Sequence, residues 1–148
     1  MNKEQMIEKA EENLFHVYNR FPVVFDYGKG CYLYDETGEK YLDFASGIGV
    51  MAFGYGNEDF EEALTYQLKQ ITHTSNLYYN KPMIEAAEKL SQASGMDKVF
   101  FTNSGAEAIE GAIKTAKKYA YTKRGPGNYE IIAMENSFHG RTVGSLSV

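Results

Sequence analysis

The sequence has no tryptophan, a single cysteine, three prolines and no long apolar run. With Cys31 alone, no intrachain disulfide can form, which favours a reducing compartment. No segment approaches the length of a membrane-spanning helix, and residues 1–12 lack the apolar stretch of a secretory signal. These absences predict a cytoplasmic protein that does not enter a membrane.

Basic residues are also fewer than acidic ones: 15 Lys and Arg stand against 20 Asp and Glu, a formal net charge of −5. Nucleic-acid surfaces need clustered positive charge, because they neutralise phosphates. The two basic groups, residues 114–118 and 123–124, fall late in one helical pattern, where they complement the helix dipole. We therefore expect no nucleic-acid partner. The histidines have no metal-ligand spacing, so no metal site is expected.

The first third of the chain predicts a helix followed by a small antiparallel meander. Apolar residues recur at helical spacing within residues 3–19. Three short strands with turn residues between them follow, at residues 23–25, 31–34 and 40–44. Residues 45–56 then contain four glycines, which predicts backbone bends and close approach to another group.

The remaining residues alternate between helical patterns and short apolar runs. Helices are predicted from Asn57 to about Lys69, from Pro82 to about Ala93, and from Ser104 to just before Gly125. Apolar runs at residues 98–102 and 130–134 flank the last helix and predict two buried strands. The order strand–helix–strand is the signature of a βαβ unit in a parallel sheet.

The pattern is interrupted at Val148, six residues after Thr142. Two parallel strands do not make an independently stable sheet. We therefore expect the sequence to be a truncated piece of a longer protein, or to need a partner that completes its fold.

A turn-rich loop follows the first apolar run and opens the long helix. Helix N-termini offer unpaired N–H groups and partial positive charge, so a phosphate can dock there. Gly105 leaves room for close approach, and the Ser104 hydroxyl adds a donor. The alternative is an ordinary capped helix, in which Ser104 is the N-cap and Glu107 closes a capping box. The two interpretations are compatible.

A second loop, residues 138–141, follows the second apolar run and reads Phe-His-Gly-Arg. Neighbouring parallel strands end at the same edge of a sheet, so this loop should lie near residues 104–106. Its ring and guanidinium suit a flat heterocycle and a carboxylate held by two hydrogen bonds. The alternative is a plain turn with a buried Phe138 and a surface Arg141.

Five segments in this order resemble the class III, ornithine-type aminotransferases of fold type I. They are residues 28–35, 41–50, 73–79, 100–108 and 137–142. The resemblance covers nearly the whole chain and implies an α/β fold of the pyridoxal-phosphate transferases of fold type I.

In that fold, residues 1–46 supply an N-terminal helix and the antiparallel meander of a small domain. Residues 47–148 supply the first part of a large, mainly parallel, three-layer α/β domain, which is incomplete here. The chain departs from the family at residues 54–58, where Gly-Tyr-Gly-Asn-Glu replaces a Gly-His and a His-Pro pair. This departure affects the start of a helix more than the chemistry.

The resemblance implies pyridoxal 5′-phosphate as the cofactor. The backbone amides of Gly105 and Ala106 would bind its phosphate, helped by Ser104. Phe138 would stack on the pyridine ring, and His139 is also counted among the cofactor-binding residues. No catalytic residue is expected within this chain, because the lysine that binds the cofactor covalently and the acid that pairs with its ring nitrogen belong to sequence beyond residue 148.

For the substrates, the resemblance implies that Arg141 holds the α-carboxylate of the amino acid. Tyr79 and the segments 49–50 and 76–79 would line the substrate entrance and reach the neighbouring subunit of a homodimer. For these entrance residues, plain loop packing remains an equal alternative.

The implied reaction of the full-length enzyme is transamination between N2-acetylornithine and 2-oxoglutarate, a step of arginine biosynthesis. Ornithine, 4-aminobutyrate and succinylornithine are alternative amino donors. Two other classes stay open: a short non-catalytic protein that binds phosphate ligands, and a purely structural or interaction module.

Overall fold

The computed structural model describes residues 1–148, which form two compact units, Met1–Ser75 and Asn76–Val148. The predicted boundary between residues 46 and 47 concerns the domains of a complete enzyme and stays a prediction. None of the helices combines the length and the apolar character that crossing a bilayer requires.

Unit 1 begins with helix α1, Lys3–Asn13. A capping box stabilises its start, because Asn2 and Gln5 each accept a backbone N–H from the other. The predicted helix extended to residue 19 and was too long, since the backbone is already extended at Leu14. The segment 15–19 contains aromatic and β-branched residues of low helix propensity, which explains the early end.

The predicted antiparallel meander is confirmed, although its first strand lies at residues 25–29 and not at 23–25 as predicted. It consists of β1 Phe25–Lys29, β2 Tyr32–Asp35 and β3 Lys40–Leu42, in the order β1-β2-β3. Both pairings are antiparallel. The Tyr27 and Tyr34 rings stack across β1 and β2 with their centroids 4.5 Å apart, a cross-strand pair that stabilises the sheet.

The turn between β2 and β3 is organised by Asp35, which is only 4% exposed. One carboxylate oxygen accepts the backbone N–H and the hydroxyl of Thr37 and the N–H of Glu39, at 2.9, 2.7 and 2.9 Å. The other accepts the hydroxyl of Tyr41 at 3.1 Å. Burial and the bond to Asp35 raise the pKa of Tyr41 to about 12, so this hydroxyl remains a donor at neutral pH.

These bonds make the stability of the meander depend on pH. The Thr37 hydroxyl, with the Glu39 and Thr37 amides and the Tyr41 hydroxyl, lowers the pKa of Asp35 below its ordinary value of 3.8. A carboxylate with a depressed folded-state pKa stabilises the fold above its unfolded pKa, and this contribution is lost as the pH falls through the folded pKa. We expect Asp35→Asn to lower the urea midpoint at pH 7, and this deficit to shrink below pH 3.8.

Urea titrations at several pH values, with Asp26→Asn as the matched control, test this expectation. Asp26 is an exposed carboxylate on β1 with no hydrogen bond in the structure. A deficit for Asp35→Asn of the same size at every pH would mean that the ionised form of Asp35 is not what stabilises the turn.

The glycine-rich segment after β3 bends through the left-handed region, as its composition predicted. In the single turn α2, Ser46–Gly49, φ is 47°, 57°, 60° and 84° at successive residues. Asp43 holds the entry to this turn by accepting the N–H groups of Ala45 and Ser46, each at 2.9 Å. Tyr55 donates its hydroxyl to the other oxygen of Asp43 at 2.7 Å, which lowers the pKa of Asp43 and raises that of Tyr55.

Helix α3, Glu58–Leu68, closes unit 1 and matches its prediction closely. Asn57 is its N-cap and accepts the N–H of Phe60 at 2.9 Å. Three acidic residues lie in its first turn, where they complement the helix dipole.

Unit 2 contains α4 Lys81–Ser94, α5 Gly105–Arg124 and the short α6 Val143–Leu146. The first two agree with the predicted helices. The N-caps are Asn80 for α4 and Ser104 for α5, and each accepts a backbone N–H of its first turn.

The two predicted parallel strands, residues 98–102 and 130–134, are wrong for this structure. Neither segment pairs with another, and the only sheet is the meander of unit 1. Most of their apolar side chains are exposed, with Phe100 at 76% and Ile132 at 97%, and no hydrophobic side chain in the chain is fully buried. A strand needs neighbours on its edges and cover on its faces, and these 148 residues supply neither for these two segments.

Candidate functional site

The N-terminus of α5 presents two backbone amides that have no acceptor. Ser104 accepts the N–H of Glu107 at 3.2 Å through its hydroxyl and the N–H of Ala108 at 3.0 Å through its carbonyl. The amides of Gly105 and Ala106 make no hydrogen bond in the structure. A Cβ built on Gly105 would meet no atom within 4 Å, so the approach to these amides is open. Free amides at the positive end of a 20-residue helix suit an anion.

The carboxylate of Glu107 does not close the capping box that the sequence predicted. It accepts the N–H of Asn103 at 2.7 Å instead of that of Ser104. The hydroxyl of Thr102 donates to the Ser104 carbonyl at 3.1 Å. Both bonds shape the loop before the helix, and neither covers the free amides.

The two loops that the sequence singled out meet at Gly140. They were expected to lie close together at the ends of paired parallel strands, and they do so although those strands do not form. Gly140 is buried with φ at +123°. A Cβ on this residue would lie 2.6 Å from the Cβ and 2.9 Å from the Cα of Ala106, and 2.8 Å from the hydroxyl of Ser145. The backbone of the second loop therefore packs directly on the first turn of α5.

Glu110 ties the same two segments together one helical turn further along α5. Its carboxylate accepts the hydroxyl of Thr142 at 2.6 Å and the N–H of Gly144 at 3.1 Å. The Thr142 hydroxyl also caps α6 by accepting the N–H of Ser145, a residue only 1% exposed. Sequence reasoning missed Glu110, although its spacing of four residues from Ala106 puts both on one face of the helix.

Phe138 and Arg141 flank Gly140 on the surface. The Phe138 ring is 77% exposed, so the alternative interpretation, a plain turn with a buried phenylalanine, does not hold in this structure. The guanidinium carbon of Arg141 lies 5.9 Å from the centroid of that ring, within cation–π range. An exposed aromatic face and a cation thus lie on the loop that packs against the helix N-terminus.

His139 and Tyr79 differ in their burial. His139 is half-buried, and its Nδ1 atom is shielded from solvent without a hydrogen-bond partner. Tyr79 is 90% exposed, and none of the contacts that join the two loops involves it. The candidate residues Ser104, Gly105, Ala106, Phe138, His139 and Arg141 thus lie on the two segments that meet at Gly140, whereas none of these contacts brings Tyr79 to them.

These groups fit a phosphorylated planar ring. The open glycine and the two free amides suit a phosphate, the exposed phenylalanine suits an aromatic face, and the arginine suits a carboxylate. The N-terminus of α5 and the loop 138–141 are therefore the candidate site for a phosphate ester in this α/β protein.

The chain belongs to the class III aminotransferases, because the family Aminotransferase class-III matches residues 15–148. It is 45% identical over 147 residues to the acetylornithine aminotransferase of Haemophilus ducreyi, covering 99% of this chain and 37% of that protein. The chain thus spans about a third of the length of the curated relatives it matches.

Solved structures of aminotransferases are also similar to this chain. The acetylornithine aminotransferase of Elizabethkingia anophelis matches with a TM-score of 0.79 and 38% identity, over 84% of this chain and 33% of that one. The ornithine aminotransferase of Toxoplasma gondii ME49 matches with a TM-score of 0.93 and 30% identity, over 99% of this chain and 35% of that one. These are pyridoxal-phosphate enzymes of fold type I, which confirms the predicted fold class and the predicted cofactor of the family.

Proposed function

We propose that this chain is the part of a class III aminotransferase that docks the cofactor and the substrate carboxylate. In this proposal the whole enzyme transfers the amino group of N2-acetylornithine to 2-oxoglutarate, a step of arginine biosynthesis. The observation that carries the proposal is the packing of Gly140 on Ala106, because it joins an open anion site to a loop with an aromatic ring and a cation.

The phosphate of pyridoxal phosphate binds at the start of α5. The amides of Gly105 and Ala106 donate to its oxygens, and Ser104 contributes its hydroxyl. The helix dipole favours this dianion, and the amides already point outward, so little reorganisation is needed.

Phe138 would hold the pyridine ring of the cofactor by stacking, because its own ring is exposed on this loop. His139, the next residue, would also contact the cofactor, since its buried Nδ1 atom has no hydrogen-bond partner within the chain. When bound, the cofactor supplies an electron sink for the loss of a proton from the carbon that carries the amino group. We place the lysine that binds the cofactor covalently outside these 148 residues.

Arg141 binds the α-carboxylate of the amino acid through two hydrogen bonds, and Tyr79 lines the entrance. A guanidinium suits this role because its planar donors match the two oxygens of a carboxylate. We further propose a cytoplasmic homodimer, with the entrance segments facing the neighbouring subunit.

The choice of amino donor rests on the relatives. The acetylornithine aminotransferase of Haemophilus ducreyi is 45% identical to this chain, whereas the ornithine aminotransferase of Toxoplasma gondii ME49 is 30% identical. Ornithine is the second candidate, because that structure agrees over 99% of the chain with a TM-score of 0.93.

The proposal is tested with the full-length protein and with the 148-residue chain. We expect the purified full-length protein to bind pyridoxal phosphate and to form glutamate from 2-oxoglutarate with N2-acetylornithine, at a higher kcat/KM than with ornithine or 4-aminobutyrate. We expect no transamination by residues 1–148 alone above the rate of free pyridoxal phosphate. Turnover by this chain alone, or failure of the full-length protein to bind the cofactor, would contradict the proposal.

A further inference from the structure

Glu110 makes hydrogen bonds between residues that are far apart in sequence. It is half-buried on α5, and it bonds to Thr142 and Gly144, 32 and 34 residues later. This carboxylate is therefore a long-range polar link within unit 2.

The link lies beside the place where the two loops meet. Ala106 touches Gly140, and Glu110 binds Thr142 on the same face of the helix. The Glu110 carboxylate lies close against Gly144, because a Cβ at Gly144 would overlap it unless the glutamate side chain moved. The Glu110 carboxylate therefore connects α5 to the residues that directly follow the loop 138–141.

We propose that Glu110 is a positioning residue that sets the spacing between the phosphate-binding amides and the Phe138–Arg141 loop. This inference rests on the proposed function, since it assumes that one ligand spans both segments. Glu110 touches neither cofactor nor substrate. Its loss weakens ligands that contact both segments and leaves ligands that contact only the helix N-terminus almost unchanged.

Two ligands test this difference in the full-length apoprotein, one that contacts both segments and one that contacts only the helix N-terminus. Pyridoxamine 5′-phosphate reaches both segments and cannot bind covalently to a lysine, whereas inorganic phosphate occupies the amides alone. We expect Glu110→Ala to raise the Kd of pyridoxamine phosphate about tenfold, as for the loss of a hydrogen bond to a charged group. The Kd of phosphate should stay within about twofold of the parent.

Conservative variants and a matched control exclude a general loss of stability. Glu110→Gln retains an oxygen that accepts both donors and should recover most of the affinity. Thr142→Val removes the hydroxyl and should weaken pyridoxamine phosphate, and Thr142→Ser should restore it. Thr115→Val is the control, because the Thr115 hydroxyl bonds only within α5, to the carbonyl of Gly111 at 2.8 Å.

The outcomes separate this inference from the proposed function. An equal loss of affinity for both probes, or none for either, would overturn the positioning role of Glu110. If Glu110→Ala fails to fold, the Thr142 pair decides by the same comparison of probes. A parent protein that binds phosphate but not pyridoxamine phosphate would refute the proposed function itself.

Discussion

Replacing Gly140 by alanine is expected to weaken the binding of pyridoxal phosphate about 100-fold or more. The residue has φ at +123°, where a side chain strains the backbone by about 1–3 kcal/mol. The new Cβ would lie 2.6 Å from that of Ala106, and relieving such overpacking costs about 1–3 kcal/mol more. The second loop must move away from α5, which separates the ring and the cation from the phosphate-binding amides.

Equilibrium binding and urea unfolding of the full-length Gly140→Ala variant provide the measurement. Gly105→Ala is the matched control for stability, because its Cβ meets no atom within 4 Å and its φ is not positive. We expect Gly105→Ala to retain the unfolding free energy of the parent, although its methyl group faces the proposed phosphate. If Gly140→Ala binds the cofactor as tightly as the parent, the contact between the two loops does not shape the site.

Replacing Arg141 by alanine is expected to raise KM for N2-acetylornithine by about 10- to 100-fold. A hydrogen bond to a charged group contributes about 1.5–3 kcal/mol, and every 1.4 kcal/mol corresponds to about tenfold. Arg141→Lys keeps the charge but loses the planar pair of donors, so its KM should be intermediate. Steady-state kinetics of the three full-length proteins test this order.

An amino donor without a carboxylate distinguishes two roles of Arg141, the binding of the substrate carboxylate and the contact with the Phe138 ring. If Arg141 binds the α-carboxylate, a simple primary amine should react with the same kcat/KM in the parent and in Arg141→Ala. If both donors lose activity by the same factor, Arg141 acts instead through its contact with the Phe138 ring, 5.9 Å from the guanidinium carbon.

Structural features that depend on residues close together in the sequence could be predicted from the sequence. Asn57 and Ser104 were recognised as N-caps because a cap depends on one side chain and the amides two or three residues later. The meander followed from alternation and turn residues for the same reason. The strands at residues 98–102 and 130–134 failed because an apolar run becomes a strand only when another strand pairs with it.

The sequence by itself determined the helix starts, the meander, the glycine-rich bend and the two loops that carry the candidate binding residues. Only the tertiary structure decided that these loops touch at Gly140, that Phe138 is exposed, and that Glu110 bonds to Thr142. Local backbone preferences act over a few residues and can be read along the chain. A contact between residues 34 positions apart, such as Ala106 with Gly140, exists only after α5 and the segment that follows it have packed.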